Sequence, residues 1–393
     1  MENRIYLDYN ATTPCDPEVV EAMLPYFSDT FGNPSSAHHA YGWLAREIVT
    51  ESTGIIGRNL GVDPSDLIFT SGATESINMV LKSLEQGSGS AAKHIITSST
   101  EHKAVLDVCA HLEQQGRVRV TYLEVGSDGI VDLDRLEASI CPETVLVAIM
   151  HSNNETGVIQ PLDRIRAIIE GKGIALFSDA TQSLGKVSLD TVLDSVDYAC
   201  FSAHKLYGPK GIGLLYVRNR EQDSFIRTLI HGGGQQKKMR GGTLNTPLIA
   251  GFAKAVELSC SSLDKEQTRL QALRDRLEAG LKTIEHSTVN GGAVPRLPNT
   301  LNVSFAYVEG FRLLSALSKH MAVSNGSACN SANENPSHVL TAMGLDPDLA
   351  FSSIRFSLGK HSSEADIDET IRILTELVAK QRAENILWDR RPR

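Results

Sequence analysis

The chain has 393 residues, 41% hydrophobic and 22% charged, a soluble globular composition long enough for two or three domains or for one large α/β unit with a smaller companion. Its 38 Lys and Arg stand against 47 Asp and Glu, and the net charge of −9 argues against an extended nucleic-acid-binding face. The 6 cysteines are scattered without a C-x-x-C pair, residues 1–7 lack the apolar core of a signal peptide, and no apolar run approaches a membrane span. Neither a disulfide framework nor a metal site is expected, and a reducing cytoplasm is the natural compartment.

Residues 5–14 read as a short strand running into a polar turn, and Asp16 is placed to cap a helix over 17–27. Gly32-Asn33-Pro34-Ser35-Ser36 is either a connector or, through Asn33 and its hydroxyls, a place for an anionic ligand. A strand over 67–70 then breaks into Ser71-Gly72-Ala73-Thr74-Glu75 and the start of a helix. Unsatisfied N–H groups there, with the Thr74 hydroxyl, can hold a phosphate; equally, Ser71 or Thr74 simply caps the helix. A strand over 93–97 delivers His102 ahead of a helix over 104–114. Strands over 118–123 and 144–150 flank a helix over 133–139, and the second, nearly all apolar, suits a strand covered on both faces. It ends in His151-Ser152-Asn153-Asn154. After a helix over 162–170, a strand over 174–177 leads to Asp179, which can cap a helix or pair with a protonated pyridine nitrogen.

Lys205 stands between an apolar strand over 196–201 and its hairpin neighbour over 213–217, in Ser202-Ala203-His204-Lys205-Leu206-Tyr207-Gly208. Alone it reads as a solvated loop lysine; held at a strand end it is a candidate Schiff-base amine. Thr74, His102, Asn154, Asp179 and Lys205 each follow an apolar strand, which suggests one crevice at the carboxyl ends of a mostly parallel sheet. Beyond it, residues 231–243 form a glycine-rich basic loop, either a linker or, through Arg240 and Thr243, a place for an oxyanion. One helical stretch over 247–285 leads to an α+β remainder with strands over 301–305 and 354–357 and helices over 310–317 and 364–384. Cys329 lies in a run of Gly, Ser, Ala and Asn that cannot pack a core, so an accessible, mobile nucleophile is expected on a loop over about 323–338.

The motifs Tyr6-Leu7-Asp8, Ala11-Thr12-Thr13-Pro14, Ser71-Gly72-Ala73-Thr74-Glu75, Glu101-His102, Asn153-Asn154-Glu155, Asp179-Ala180-Thr181-Gln182, Ser202-Ala203-His204-Lys205, Gly326-Ser327-Ala328-Cys329 and Arg355-Phe356-Ser357 run through nearly the whole chain. With them it resembles the cysteine desulfurases of the NifS/IscS type, class V pyridoxal-phosphate enzymes of the aminotransferase-like fold (fold type I). The resemblance implies a large domain over 15–255, with a mostly parallel sheet, and a small α+β domain from 1–14 and 256–393. It further implies that Lys205 carries the cofactor as a Schiff base, Asp179 pairs with the pyridine nitrogen, Gln182 faces the ring hydroxyl and His102 stacks on the ring. The Ala73 amide, Thr74, Ser202 and His204 would hold the phosphate, with Thr243 reaching in from a second subunit of a homodimer. Asn33, Asn154 and Arg355 would bind the substrate, with Asn154 and Arg355 gripping the carboxylate of L-cysteine. Cys329 would take the sulfur as a persulfide, leaving L-alanine, and pass it to an acceptor protein for iron–sulfur assembly or another sulfur-modification pathway.

The chain departs from the family pattern at Gln235-Gln236-Lys237-Lys238, at Asn325 and Asn330 beside the cysteine core, and in its short basic end, which leaves the acceptor open. The rival activities are a selenocysteine lyase or another class V C–S lyase, neither needing Cys329. A non-catalytic binding role and a cofactor-free aldolase explain fewer of these residues.

Overall fold

Short apolar runs that end in glycine or a small polar residue set the frame of the molecule. The computed structural model describes residues 4–85, 92–223, 225–325 and 336–389. After strand β1 (Ile5–Tyr6) come helices α1 (Pro17–Met23), α2 (Pro25–Ser28) and α3 (Ala40–Leu60). Asp16 caps α1, its Oδ1 accepting from Glu18 N at 3.0 Å. The single helix expected over 17–27 is nevertheless broken at Leu24, because Pro25 has no N–H for the ladder and its ring crowds the preceding turn. The long helix α3 has no counterpart among the expected elements. Gly42, Gly54 and Gly57, with Thr50, Ser52 and Thr53, dilute the apolar stripe that would have marked it.

Strands β2 (Leu67–Thr70), β3 (Lys93–Ser98), β4 (Val118–Leu123), β5 (Thr144–Ala148), β6 (Ala175–Asp179), β7 (Tyr198–Ser202) and β8 (Gly213–Val217) form a seven-stranded sheet in the order β2-β8-β7-β6-β5-β3-β4. From β4 to β7 the pairings are parallel, while β8 runs antiparallel to both β7 and β2. Alternate residues feed two cores. Ile96, Val147, Leu176, Phe201 and Leu214 pack with α3 and the helix Thr246–Ser261 on one face. Ile95, Leu146, Phe177, Cys200 and Leu215 pack on the other with α4 (Ala73–Lys82) and α5 (Lys103–Gln114). Each such side chain contributes about 1.5–3 kcal/mol by leaving water. Because β3, β5, β6 and β7 share one direction, the turns that follow them emerge along one edge.

The stretch expected as one helix over 247–285 is two, Thr246–Ser261 and Leu263–Lys282, which meet at Ser262. The hydroxyls of Ser261 and Ser262 both donate to the Leu258 carbonyl, at 3.0 and 2.8 Å, competing with the helical ladder there. Downstream, β9 (Ser287–Val289), β10 (Thr300–Phe305) and β12 (Ser353–Ser357) make an antiparallel sheet with β10 in the middle, and β11 (Met321–Ala322) pairs in parallel with β1. A third core joins Leu7, Val303, Phe305, Ile354 and Phe356 to the helices Leu263–Lys282 and Glu364–Ala383. The result is the expected α/β architecture with a smaller α+β part. A bridge between Asp8 and Ser357 brings the polar turn after β1 against β12 and toward the edge where the main sheet's turns gather. No helix among the described residues is long and apolar enough to cross a membrane.

Candidate active site

At that edge lies a cavity of about 600 Å³, in the range of small-molecule and cofactor sites. Ala73, Thr74, His102, Asn154, Asp179, Gln182, Ser202, His204, Lys205 and Arg355 all line it, bringing together ten of the residues expected from the sequence.

One wall is the start of α4. Its first residue follows Gly72, and no side chain caps the helix, so the early N–H groups face the cavity. A Cβ on Gly213 would lie 2.5 Å from Gly72 Cα and 2.7 Å from Phe201 O, so only glycine lets the turn approach the sheet this closely. Thr74, Ser202 and His204 also line the cavity. Burial, followed by the nearby cations Lys205, Lys210 and Lys186, pushes the His204 imidazole down to about 4. An anion bound here would reverse that pressure, and the uncapped helix start with hydroxyls around it has the donor set a phosphate monoester requires.

Asp179 closes β6, its Oδ1 accepting from Thr181 N at 2.9 Å. His102 caps α5 through Nδ1, which accepts from Ala104 N at 3.1 Å, so the neutral ring carries its proton on Nε2. Burial holds the His102 pKa below its usual range, opposed by Asp179 and reinforced by Lys205 and His338. Lys205 ends a short 3-10 turn after β7 and donates to the carbonyls of Asn10 and Ala11 at 2.6 and 2.8 Å. Two residues on, Tyr207 has φ 64, a left-handed conformation fixed by Thr13 Oγ1 accepting from its N–H at 2.7 Å.

Arg355, 2% exposed, pairs with Asp8 at 2.8 Å and donates to the Asn154 carbonyl at 3.1 Å. Its Nε is buried with no hydrogen-bond partner among the described residues. Arg355 nevertheless lines the cavity, and a guanidinium there is a cation suited to pairing with a carboxylate.

Asn33 and Thr243 do not line the cavity of this chain. Asn33 is exposed and its Oδ1 accepts from Ser35 N within its own turn; Thr243 is exposed on the loop before the helix Thr246–Ser261. Arg240, expected to suit an oxyanion, instead forms a two-point ion pair with Glu75, at 2.8 and 3.2 Å. Cys329 lies outside the described residues.

The cavity also holds groups that the sequence reading passed over. His338, just past the stretch that carries Cys329, lines it with Nε2 2.9 Å from the Glu101 carbonyl. Its neighbour Ser337 donates to the buried Glu155 carboxylate at 2.5 Å. Asn10, between two quoted motifs, sits at the centre of a hydrogen-bond network with Gln182 and Lys186. Only the i,i+4 spacing of Gln182 and Lys186 hinted at that contact, because the rest of the network joins residues far apart in the chain.

Against known proteins, residues 5–370 match the family profile of aminotransferase class V. The chain is 48% identical over 391 residues to a cysteine desulfurase IscS of Serratia proteamaculans (strain 568), covering 99% of this chain and 96% of the relative. The solved structure of a NifS-like protein superposes with a TM-score of 0.87 at 38% identity, covering 96% of this chain and all of the other. That of SspA in complex with cysteine superposes with a TM-score of 0.80 at 38% identity, covering 91% and 99%.

Proposed function

The chain belongs to the aminotransferase class-V family and acts as a pyridoxal-phosphate-dependent cysteine desulfurase, and on that premise we propose how its residues divide the work and where the sulfur goes. When bound, pyridoxal phosphate supplies an electron sink for the bonds of the substrate's carbon skeleton. The Ala73 amide, Thr74, Ser202 and His204 hold the phosphate, joined by Thr243 of the partner subunit in a homodimer. Asp179 would keep the ring nitrogen protonated, Gln182 would serve the ring hydroxyl and His102 the ring face. The Lys205 Nζ would hold the cofactor covalently and would move protons at the substrate's Cα. Arg355 and Asn154 orient the carboxylate of L-cysteine.

The Cys329 thiolate then attacks the substrate sulfur. An S–S bond forms as the Cβ–S bond breaks, its electron pair stays with carbon, and protonation there completes L-alanine. Sulfur remains on Cys329 as a persulfide and passes to an acceptor protein, either an iron–sulfur scaffold or the partner of another sulfur-modification pathway. Residues 15–255 serve as the large domain, and 1–14 with 256–393 as the small one.

The observation that carries this reading is the convergence of Lys205, Asp179 and His102 on a cavity that the Arg355 guanidinium also lines. Homodimerisation is supported by the exposed apolar side chains Leu24, Phe27, Phe31, Tyr41, Trp43 and Leu44. A reducing cytoplasm is supported by the free thiols of Cys15, Cys109, Cys141, Cys200 and Cys260. With a reductant present, the parent protein is expected to release alanine and sulfide from L-cysteine and the Cys329→Ala variant neither. Equal release by both would sink the persulfide route in favour of a C–S lyase or selenocysteine lyase.

A further inference from the structure

Lys186 lies four residues after Gln182 in the turn that follows β6, and is 9% exposed. Its Nζ donates to Gln182 Oε1 at 2.8 Å and to Asn10 Oδ1 at 3.3 Å. A protonated lysine offers only donors, so it presents each of these two amides with a reason to turn its oxygen inward and its nitrogen outward. The Gln182 Nε2 thereby donates to the Asn10 carbonyl at 3.0 Å. That same carbonyl accepts from Lys205 Nζ at 2.6 Å. The Asn10 Nδ2, turned outward in the same way, donates to Thr300 Oγ1 at 2.9 Å and to the Asn154 carbonyl at 3.2 Å, and the latter also accepts from Arg355. Asn10 Oδ1 also accepts from Asn299 Nδ2 at 3.2 Å, so the Asn10 amide is held from two sides, and it is the Gln182 amide whose orientation rests on the buried cation.

We propose that Lys186 is a positioning residue of the cofactor site, which fixes the orientation of the Gln182 amide. The proposal rests on pyridoxal-phosphate binding at this cavity, and not on the fate of the sulfur. A buried ammonium is costly to desolvate, and a methionine of the same length would fill the space without that cost. The group is moreover held close to its point of proton loss. Burial first, then the neighbouring Lys205 and Arg355 cations, push its pKa down to about 7, and His204 feels its charge in turn.

The test is a double-mutant cycle between Lys186→Met and Gln182→Met, read by titrating apo protein with pyridoxal phosphate and by the absorption spectrum of the bound cofactor. Lys186→Met is expected to weaken cofactor binding about tenfold and to shift the spectrum, roughly the effect of one lost hydrogen bond to a charged group. In the Gln182→Met background the same change adds no more than about twofold. Lys186→Gln, which keeps an N–H to offer Gln182 Oε1, restores much of the parent spectrum. Parent-like affinity and spectrum in Lys186→Met would overturn the proposal, as would effects that multiply in the double variant. Should Lys186→Met fail to fold, the cycle is run with Lys186→Gln, where a gap above about twofold between Gln182→Met and the double variant has the same force. Cofactor binding is read without L-cysteine, so failure here is distinguishable from failure of the desulfurase reading.

Discussion

The carboxyl edge of the main sheet and the loop over 231–243 both gather glycines and cations, yet the structure uses them in opposite ways. At the sheet edge, polar groups are gathered around a cavity and left with capacity: the start of α4 has no side-chain cap. In the loop the polar groups engage their own surroundings. Arg240 grips Glu75, Gln235 Oε1 accepts from Gly242 N at 3.0 Å, and Gln236 accepts from Phe69 N at 2.7 Å while donating to Phe69 O at 2.8 Å. The Gln236 amide thus closes a stretch of β2, the edge strand, that would otherwise stand unpaired. A binding site is told from a structural clasp by donors and acceptors left unmatched, which composition alone does not reveal.

The sharpest way to break this contrast is Lys205→Ala, which should abolish covalent retention of the cofactor and lower alanine formation by about 10³-fold or more. Substantial residual turnover with a parent-like spectrum would remove Lys205 from the centre of the site. Next in size is Arg355→Lys, which loses the planar fork while keeping the charge. It should raise KM for L-cysteine by about 10²-fold with a smaller change in kcat, since the missing contact is one of substrate binding. A fall in kcat at constant KM would place Arg355 in the chemistry and not in the grip.

The same contrast explains which parts were legible in the sequence. Thr74, His102, Asp179 and Lys205 could be found because each follows an apolar strand, and parallel strands deliver their turns to one edge. Lys186, Asn10 and His338 could not, because their roles depend on side-chain bonds between residues up to 290 positions apart. Helix α3 was hidden by its glycines and hydroxyl residues, and the break at Ser262 by a heptad-like pattern that continues across it. The function of Gln236 was equally unreadable, since nothing in Gln-Gln-Lys-Lys says that one amide will reach a strand 167 residues earlier.

On the clasp side of the comparison, Gln236→Ala leaves the N–H and carbonyl of Phe69, a buried residue, without their partner. A loss of about 1–3 kcal/mol in unfolding free energy is expected by chemical denaturation. Cofactor affinity should stay within about twofold of the parent, because Gln236 does not line the cavity. A variant as stable as the parent would mean that the edge of β2 does not need the clasp.

The smallest effect concerns how the chain reaches that clasp. Gln236, Lys237 and Lys238 have φ of 50, 56 and 67, three successive left-handed residues, none of them glycine. Each carries a Cβ that crowds the following carbonyl, at a cost of about 1–2 kcal/mol. Gln236 is tied to this conformation by its bonds to β2, whereas Lys238 contributes its backbone, with its N–H bonded to Gly234 O and Gln235 O and its carbonyl accepting from Thr228 Oγ1. Lys238→Gly relieves the crowding and gives back part of the gain as extra freedom in the unfolded chain, so a net rise of about 0.5 kcal/mol is expected. Lys238→Val, branched at Cβ, should instead fall below the parent. A glycine variant less stable than the valine one would show that the left-handed run is not strained at Lys238.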